Sequence, residues 1–128
     1  MEFPEGLLYS ESHEWVRDEG SQVAVGLTDF AQNQLKDIVY VELPEIGSEF
    51  KNGESMGVVE SVKTVADIFS PVAGKVTDRN LDLKKHPEFV NTDPYGKGWM
   101  IKMDPTDREE LKGLVSSQAY QASLSEEL

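Results

Sequence analysis

The residue whose type and setting could do chemistry is Lys63. It lies within Val58-Val59-Glu60-Ser61-Val62-Lys63-Thr64-Val65-Ala66-Asp67-Ile68-Phe69-Ser70-Pro71-Val72-Ala73-Gly74, which reads as two apolar strands meeting near one lysine. β-Branched Val62 and Thr64 flank it, and Pro71 and Gly74 close the unit, so Lys63 is expected at an exposed hairpin tip. No Asn-Gly or Gly-X dipeptide marks a two-residue primed turn, so a type I turn or a slightly longer loop is expected. A compact ammonium on a flexible four-carbon stem can be acylated, and the amide then carries a group away from the protein body. An exposed lysine between Val and Thr is usually an ordinary solvated strand residue, so spacing alone favours that reading over a special function.

Other chemistries lack their residues. There is no cysteine, which removes disulfides, thiolate nucleophiles and thiolate metal sites and leaves the redox compartment unread. His13 and His86 lie far apart and outside any metal-ligand spacing, so a zinc site is not expected. No G-x-S-x-G elbow occurs, and Gly96-Lys97-Gly98 lacks the rest of a dinucleotide fingerprint. Trp15 and Trp99 read as core or surface anchors, and Glu109-Glu110 as a solvated helix face.

The elements that must position Lys63 are mostly strands. Trp15-Val16-Arg17 and Val23-Ala24-Val25, joined by Asp18-Glu19-Gly20-Ser21, read as a hairpin. Thr28 can cap a short helix ending at Leu35, with Asp29 near its positive end and Ala31 and Leu35 on one face. Ile38 to Leu43 reads as a buried strand, and Ile46-Gly47 turns the chain. Lys51-Asn52-Gly53-Glu54 carries the strongest short hairpin signal, leading into the strand that ends at Lys63. Gly74-Lys75-Val76-Thr77 begins another strand, Arg79 to His86 reads as a polar connector, and Pro87 suits the first turn of a short helix through Val90. After the Asp93 to Gly98 loop, Trp99 to Met103 reads as the final strand. Thr106-Asp107-Arg108-Glu109 has the form of a capping box, Leu111 and Leu114 supply apolar contacts, and Gly113 ends that turn. Gln118 to Leu128 is rich in helix formers, with Tyr120 and Leu124 on one face. Short strands with turns between them and a few helices predict an antiparallel sandwich or flattened barrel.

At 128 residues and 38% hydrophobic content, one domain spanning 1–128 is expected, with a helical segment from about 105 to 128. Twelve Lys+Arg against 24 Asp+Glu give a net charge of −12, which repels phosphate backbones and anionic lipid, so neither nucleic acid nor a membrane is an expected partner. Such a chain is steered instead toward basic docking surfaces, and rising salt should weaken that association. Met1-Glu2-Phe3-Pro4-Glu5-Gly6 has neither a basic n-region with an apolar run nor an Arg-rich presequence, and no stretch approaches about 18 apolar residues. A soluble, unexported protein of the bacterial cytoplasm is expected, although a mature mitochondrial matrix form would look the same.

The Lys63 stretch resembles the lipoyl-attachment segment of the glycine cleavage system H-protein family. Glu60-Ser61-Val62-Lys63 followed by Ser70-Pro71-Val72-Ala73-Gly74 carries the resemblance at the site. Four further blocks extend it: His13-Glu14-Trp15-Val16, Val25-Gly26-Leu27-Thr28-Asp29-Phe30-Ala31-Gln32, Asp37-Ile38-Val39-Tyr40-Val41-Glu42-Leu43-Pro44, and Val90-Asn91-Thr92-Asp93-Pro94-Tyr95-Gly96-Lys97-Gly98-Trp99. The resemblance implies a mainly β barrel-sandwich hybrid of the biotinyl/lipoyl-carrier type with C-terminal helices, in which Lys63 carries covalent lipoic acid. It implies a monomeric carrier rather than an enzyme. The lipoyl arm would take an aminomethyl group from the glycine decarboxylase (P protein) to the aminomethyltransferase (T protein) and be reoxidised by dihydrolipoamide dehydrogenase (L protein). Chemistry would then reside in cofactor and partners, with Glu60, Ser61, Val62 and Thr64 as recognition and shaping residues for the lipoylating enzyme and those partners.

Two departures from the family pattern stand out. Lys36 occupies a helix end where the family often has glycine, and Lys84-Lys85-His86 puts positive charge where neutral or acidic residues are common. The second reads best as a neutral surface difference. Competing readings are a biotin carboxyl carrier, a lipoyl relay that donates lipoyl groups to other enzymes, and a free-standing enzyme. Biotin carriers typically have methionine before the modified lysine, whereas Val62 precedes Lys63 here.

Overall fold

A computed structural model describes residues 1–127. In chain order the elements are β1 (Leu8–Tyr9), β2 (Glu14–Asp18), β3 (Val23–Leu27), α1 (Asp29–Leu35), β4 (Ile38–Glu42), β5 (Glu49–Phe50), β6 (Ser55–Ser61), β7 (Val65–Phe69), β8 (Gly74–Arg79), α2 (Asp82–Lys85), α3 (Phe89–Thr92), β9 (Ile101–Pro105), a 3-10 helix (Arg108–Gly113) and α4 (Ser117–Glu127). Strands β1-β2-β3-β9-β8-β5 form a six-stranded sheet and β4-β6-β7 a three-stranded one. All pairings are antiparallel. The sheets enclose one core, to which Val16, Val25, Val76 and Ile101 of the larger sheet and Val41, Val59 and Ile68 of the smaller all contribute. This is the open, barrel-sandwich-like, mostly β architecture expected from the sequence.

A second cluster covers the outer face of the larger sheet. Trp15 and Ala24, whose neighbours Val16 and Val25 point into the main core, pack there with Phe30 of α1 and with Tyr120 and Leu124 of α4. Every residue of β3 is therefore buried. Trp15 is wholly buried and donates its indole N–H to the Pro94 carbonyl at 3.0 Å. A Cβ on Gly26, its cross-strand partner, would come within 2.6 Å of the indole ring, so only glycine fits opposite the tryptophan. The helix expected from Gln118 to Leu128 is α4, held by the expected Tyr120 and Leu124 face; Leu128 lies outside the described residues.

Several local expectations are corrected. Ile38 to Leu43 is not buried throughout: Ile38 and Val41 point inward, while Val39 and Tyr40 are 54% and 48% exposed. β4 is an edge strand with one open face, and the register slips between Ile38 and Tyr40. The Lys51 to Glu54 turn does form, with Gly53 at φ 84° and Glu54 N–H donating to the Lys51 carbonyl at 3.0 Å. It is not a hairpin, because β5 pairs with β8 in the larger sheet while β6 pairs with β4 and β7 in the smaller. Asn-Gly chemistry fixes a reversal but not the partners of the flanking strands.

The polar connector contains α2, anchored by the single buried Leu83, too little apolar signal to show a helix in sequence. At the proposed capping box Asp107, not Thr106, takes the first N–H, its Oδ1 accepting from Glu109 at 2.9 Å, and the segment winds as a 3-10 helix. Glu110 is no solvated face either: it accepts from the Ala73 N–H at 3.0 Å and from the Asn52 side chain at 3.1 Å, clamping the chain just before β8. Thr28 caps α1 as expected, its hydroxyl accepting the Ala31 N–H at 3.2 Å.

Candidate functional site

The β6–β7 hairpin ends in the loop Val62–Thr64, with Lys63 at its tip, the longer of the two connections expected. Ser61 braces it from within. Its N–H donates to the Thr64 carbonyl at 2.8 Å, and its hydroxyl accepts from the N–H groups of Thr64 at 3.1 Å and Lys63 at 3.3 Å. The loop is tied sideways too, since Val62 N–H donates to the Asp37 carbonyl at 3.1 Å. The backbone under Lys63 is thus fixed while its side chain is exposed, and among the described residues the ammonium makes no hydrogen bond or ion pair. A free amine on a braced loop can be acylated without breaking any contact of the fold.

The residues expected to recognise the lysine gather around it. Glu60 lies between Tyr40 of β4 and Val65 of β7 in the strand register, Ser61 is buried, and Val62, 72% exposed, and Thr64 stand out beside Lys63. Lys84, Lys85 and His86 are exposed at the end of α2, where His86 meets Glu88 at 3.0 Å. His13 lies 2.7 Å from the Tyr120 hydroxyl, which also bonds Thr28 at 2.8 Å. The described residues hold no group of three potential metal ligands and no helix long and apolar enough to cross a membrane.

Beside the hairpin runs a cleft of about 170 Å³, lined mainly by apolar atoms of Leu27, Phe30, Ala31, Leu35 and Ala66, with Ser12, His13, Gln34 and Asp67 at its edges. Behind its Ser12 and His13 wall sits Glu14, whose carboxylate is fully buried. It accepts from the hydroxyls of Ser10 at 2.6 Å and Ser12 at 2.5 Å, and from the Phe69 N–H at 3.2 Å. Burial raises its pKa above the ordinary carboxylate value, and those hydrogen bonds oppose the rise. Glu14 thereby fastens the Ser10–Glu14 turn to the end of β7. That turn is strained, with His13 at φ 74°.

Residues 7–127 match the family model described as "Glycine cleavage H-protein". The chain belongs to that family. It is 51% identical over 127 residues to the glycine cleavage system H protein of Anaeromyxobacter sp. (strain K), with 99% of each chain covered. It is 49% identical over 127 residues to that of Thermus thermophilus, again with 99% of each covered. A crystal structure of a glycine cleavage system H protein from Mycobacterium marinum is similar at a TM-score of 0.86 and 34% identity, covering 95% of this chain and 98% of that one.

The resemblance drawn from the Lys63 segment is therefore borne out at the level of the family and fold. Sequence reasoning alone missed two parts of this H-protein framework. Glu14 entered only within a matching block, although serines at positions −4 and −2 from a strand-initial acid are a usable signal for a buried, hydroxyl-bonded carboxylate. The cleft had no local signal at all, because its walls come from the turn before β2, the end of β3, α1 and β7.

Proposed function

We propose that Lys63 is the lipoyl-attachment residue and that the chain acts as a single monomeric carrier domain of the glycine cleavage system, in the bacterial cytoplasm its relatives suggest. One observation carries this reading: an exposed ammonium, unengaged among the described residues, on a loop whose backbone is braced by Ser61 and the Asp37 carbonyl. Arrangement and chemistry fit an amide-linked lipoyl group, since acylation removes a charge that none of the described residues uses. When bound, that group would supply a dithiolane able to carry an aminomethyl group from the glycine decarboxylase (P protein) to the aminomethyltransferase (T protein), leaving a dithiol for dihydrolipoamide dehydrogenase (L protein) to reoxidise.

The chain's own residues do positioning work. The two strands fix the base of the arm, so that tethering raises the local concentration of its end without further contacts. The Phe30, Leu35 and Ala66 walls of the adjacent cleft offer apolar surface that would shelter an arm from water, and Glu14 holds the turn forming the cleft's other side. Glu60, Val62 and Thr64 present the lysine to the lipoylating enzyme, with Ser61 fixing the loop.

Intact-mass measurement and peptide mapping after incubation with a lipoylating enzyme test the assignment. A single lipoyl-sized increase on the peptide containing Lys63 is expected. Lys63→Arg keeps the charge but cannot form the acyl-lysine, and should lose both the label and support of glycine cleavage. Modification surviving in that variant contradicts the reading.

A further inference from the structure

The outer face of the smaller sheet has a pattern that the hairpin alone does not reveal. Residues directly opposite in an antiparallel sheet share a face. The row Val41–Val59–Ala66 points into the core. The rows on either side of it, Tyr40–Glu60–Val65 and Glu42–Val58–Asp67, therefore point outward. Tyr40 is 48% and Val65 57% exposed, and Glu42 and Asp67 are exposed as well. In each row apolar side chains alternate with carboxylates, and neither row contains a lysine or arginine. Among the described residues, four of the eight large exposed apolar side chains, Val39, Tyr40, Val62 and Val65, collect at the Lys63 end of this sheet, too concentrated to be scattered surface residues. Asp67 is already oriented, accepting from the Ser55 hydroxyl at 2.9 Å.

We infer that this face is the docking surface for the enzyme that acylates Lys63, which would cover Tyr40 and Val65 with an apolar patch and meet Glu42, Glu60 and Asp67 with lysines or arginines around it. The inference rests on the carrier reading above. Reach selects the occupant. An enzyme that acylates the bare ammonium must close over the end of a four-carbon stem, so its walls overlap the strand ends beneath. Enzymes that act on the far end of a completed arm need not cover those strands, because the tether spans the gap. Charge selects its chemistry: Arg79 and Lys84 line the groove beside Tyr40 and Glu42, but Glu42, Glu60 and Asp67 outnumber them, and on a chain of net charge −12 they reward a basic rim.

The test measures kcat/KM for lipoylation of the unmodified protein by a ligase supplied with lipoate and ATP, across a salt series. Tyr40→Ala should raise KM about fivefold with kcat retained, and the combined Glu42→Gln, Glu60→Gln, Asp67→Asn variant should lower kcat/KM about tenfold at low salt and flatten the salt dependence. Asp104→Asn, which removes an exposed charge from the other sheet, should change neither. Competition provides a second arm that does not depend on the face variants' acylation. Lys63→Arg protein in excess should inhibit lipoylation of the wild type, and the same variant with the three carboxylates neutralised should not. The inference is overturned if the face variants, with unchanged melting temperature, are acylated as fast as wild type, or if Lys63→Arg protein fails to compete. It is also overturned if these variants lose only aminomethyl transfer, which would assign the face to the aminomethyltransferase. Failure of the wild type to gain mass at Lys63 would sink the carrier reading instead, so the two failures are distinct.

Discussion

Ser61 and Thr64 are bonded to each other across Lys63 from both directions: Ser61 N–H donates to the Thr64 carbonyl at 2.8 Å, and Thr64 N–H donates back to the Ser61 hydroxyl at 3.1 Å. The lysine between them is held by its backbone and free at its side chain. Ser61 is buried although it closes an exposed loop, which leaves its hydroxyl few alternatives to these partners. Rigidity at the tip is thus supplied by the residue that does not show itself to a partner.

Removing that hydroxyl in Ser61→Ala should therefore loosen the tip without removing the target amine. The Lys63 and Thr64 N–H groups would turn to water, at a cost of about 1 kcal/mol. Lipoylation should persist on Lys63 but with kcat/KM lowered about fivefold, the factor corresponding to that free energy. Amide exchange at Lys63 and Thr64 is the direct readout. Unaltered protection of both amides in the variant would show that the hydroxyl does not hold the loop.

Lys36 supplies a prediction of the opposite sign. It ends α1 at φ 65° and ψ −146°, backbone space that glycine enters freely and a side chain enters only with strain. Its N–H still donates to the Gln32 carbonyl and its own carbonyl accepts from the Asn91 side chain, so the surroundings hold the conformation in place. Lys36→Gly should stabilise the protein by about 1 kcal/mol, a rise in melting temperature of roughly 3–5 °C. Lys36→Ala keeps the Cβ and should give no such gain. Equal effects from the two substitutions would refute the strain.

What the sequence made legible follows from how local each signal is. The Thr28 cap, the Trp15 and Val23 hairpin and the Lys63 tip each depend on neighbours a few residues away, and each forms as expected. Asn52-Gly53 announced its reversal but not that the chain changes sheets there, because strand partners are chosen by tertiary packing. The β-branched run of β4 reads as wholly buried since composition cannot tell an edge strand from a central one; its exposed Tyr40 only acquires meaning beside Glu60 and Val65. Glu14 was hidden for a related reason: its burial is produced by Phe69, 55 residues on, as well as by its own serines.

Glu14 also predicts a pH dependence whose sign can be worked out. Desolvation is the largest influence on this carboxyl and favours the neutral form, so the folded pKa lies above the ordinary value of 4.5 despite the hydrogen bonds from Ser10, Ser12 and the Phe69 N–H. Between those two values the folded protein binds more protons at this site than the unfolded chain. Stability must then fall as pH rises through that interval, and the contribution is most favourable below 4.5. Asp18 and Glu88 have lowered values, set by hydrogen bonding to Arg108 and by the hydrogen bond to its own backbone N–H, respectively, and they act in the reverse sense. The wild-type curve alone therefore mixes both signs. Glu14→Gln isolates the site, because an amide can offer its oxygen to the Phe69 N–H and its NH₂ to the rotatable serine hydroxyls while remaining uncharged. Plotted against pH, the stability of Glu14→Gln relative to wild type should climb as pH rises above 4.5 and level off once the folded-state carboxyl has ionised. A difference that stays flat, or that declines over that range, would mean the buried carboxyl ionises in the folded protein as readily as in the unfolded chain.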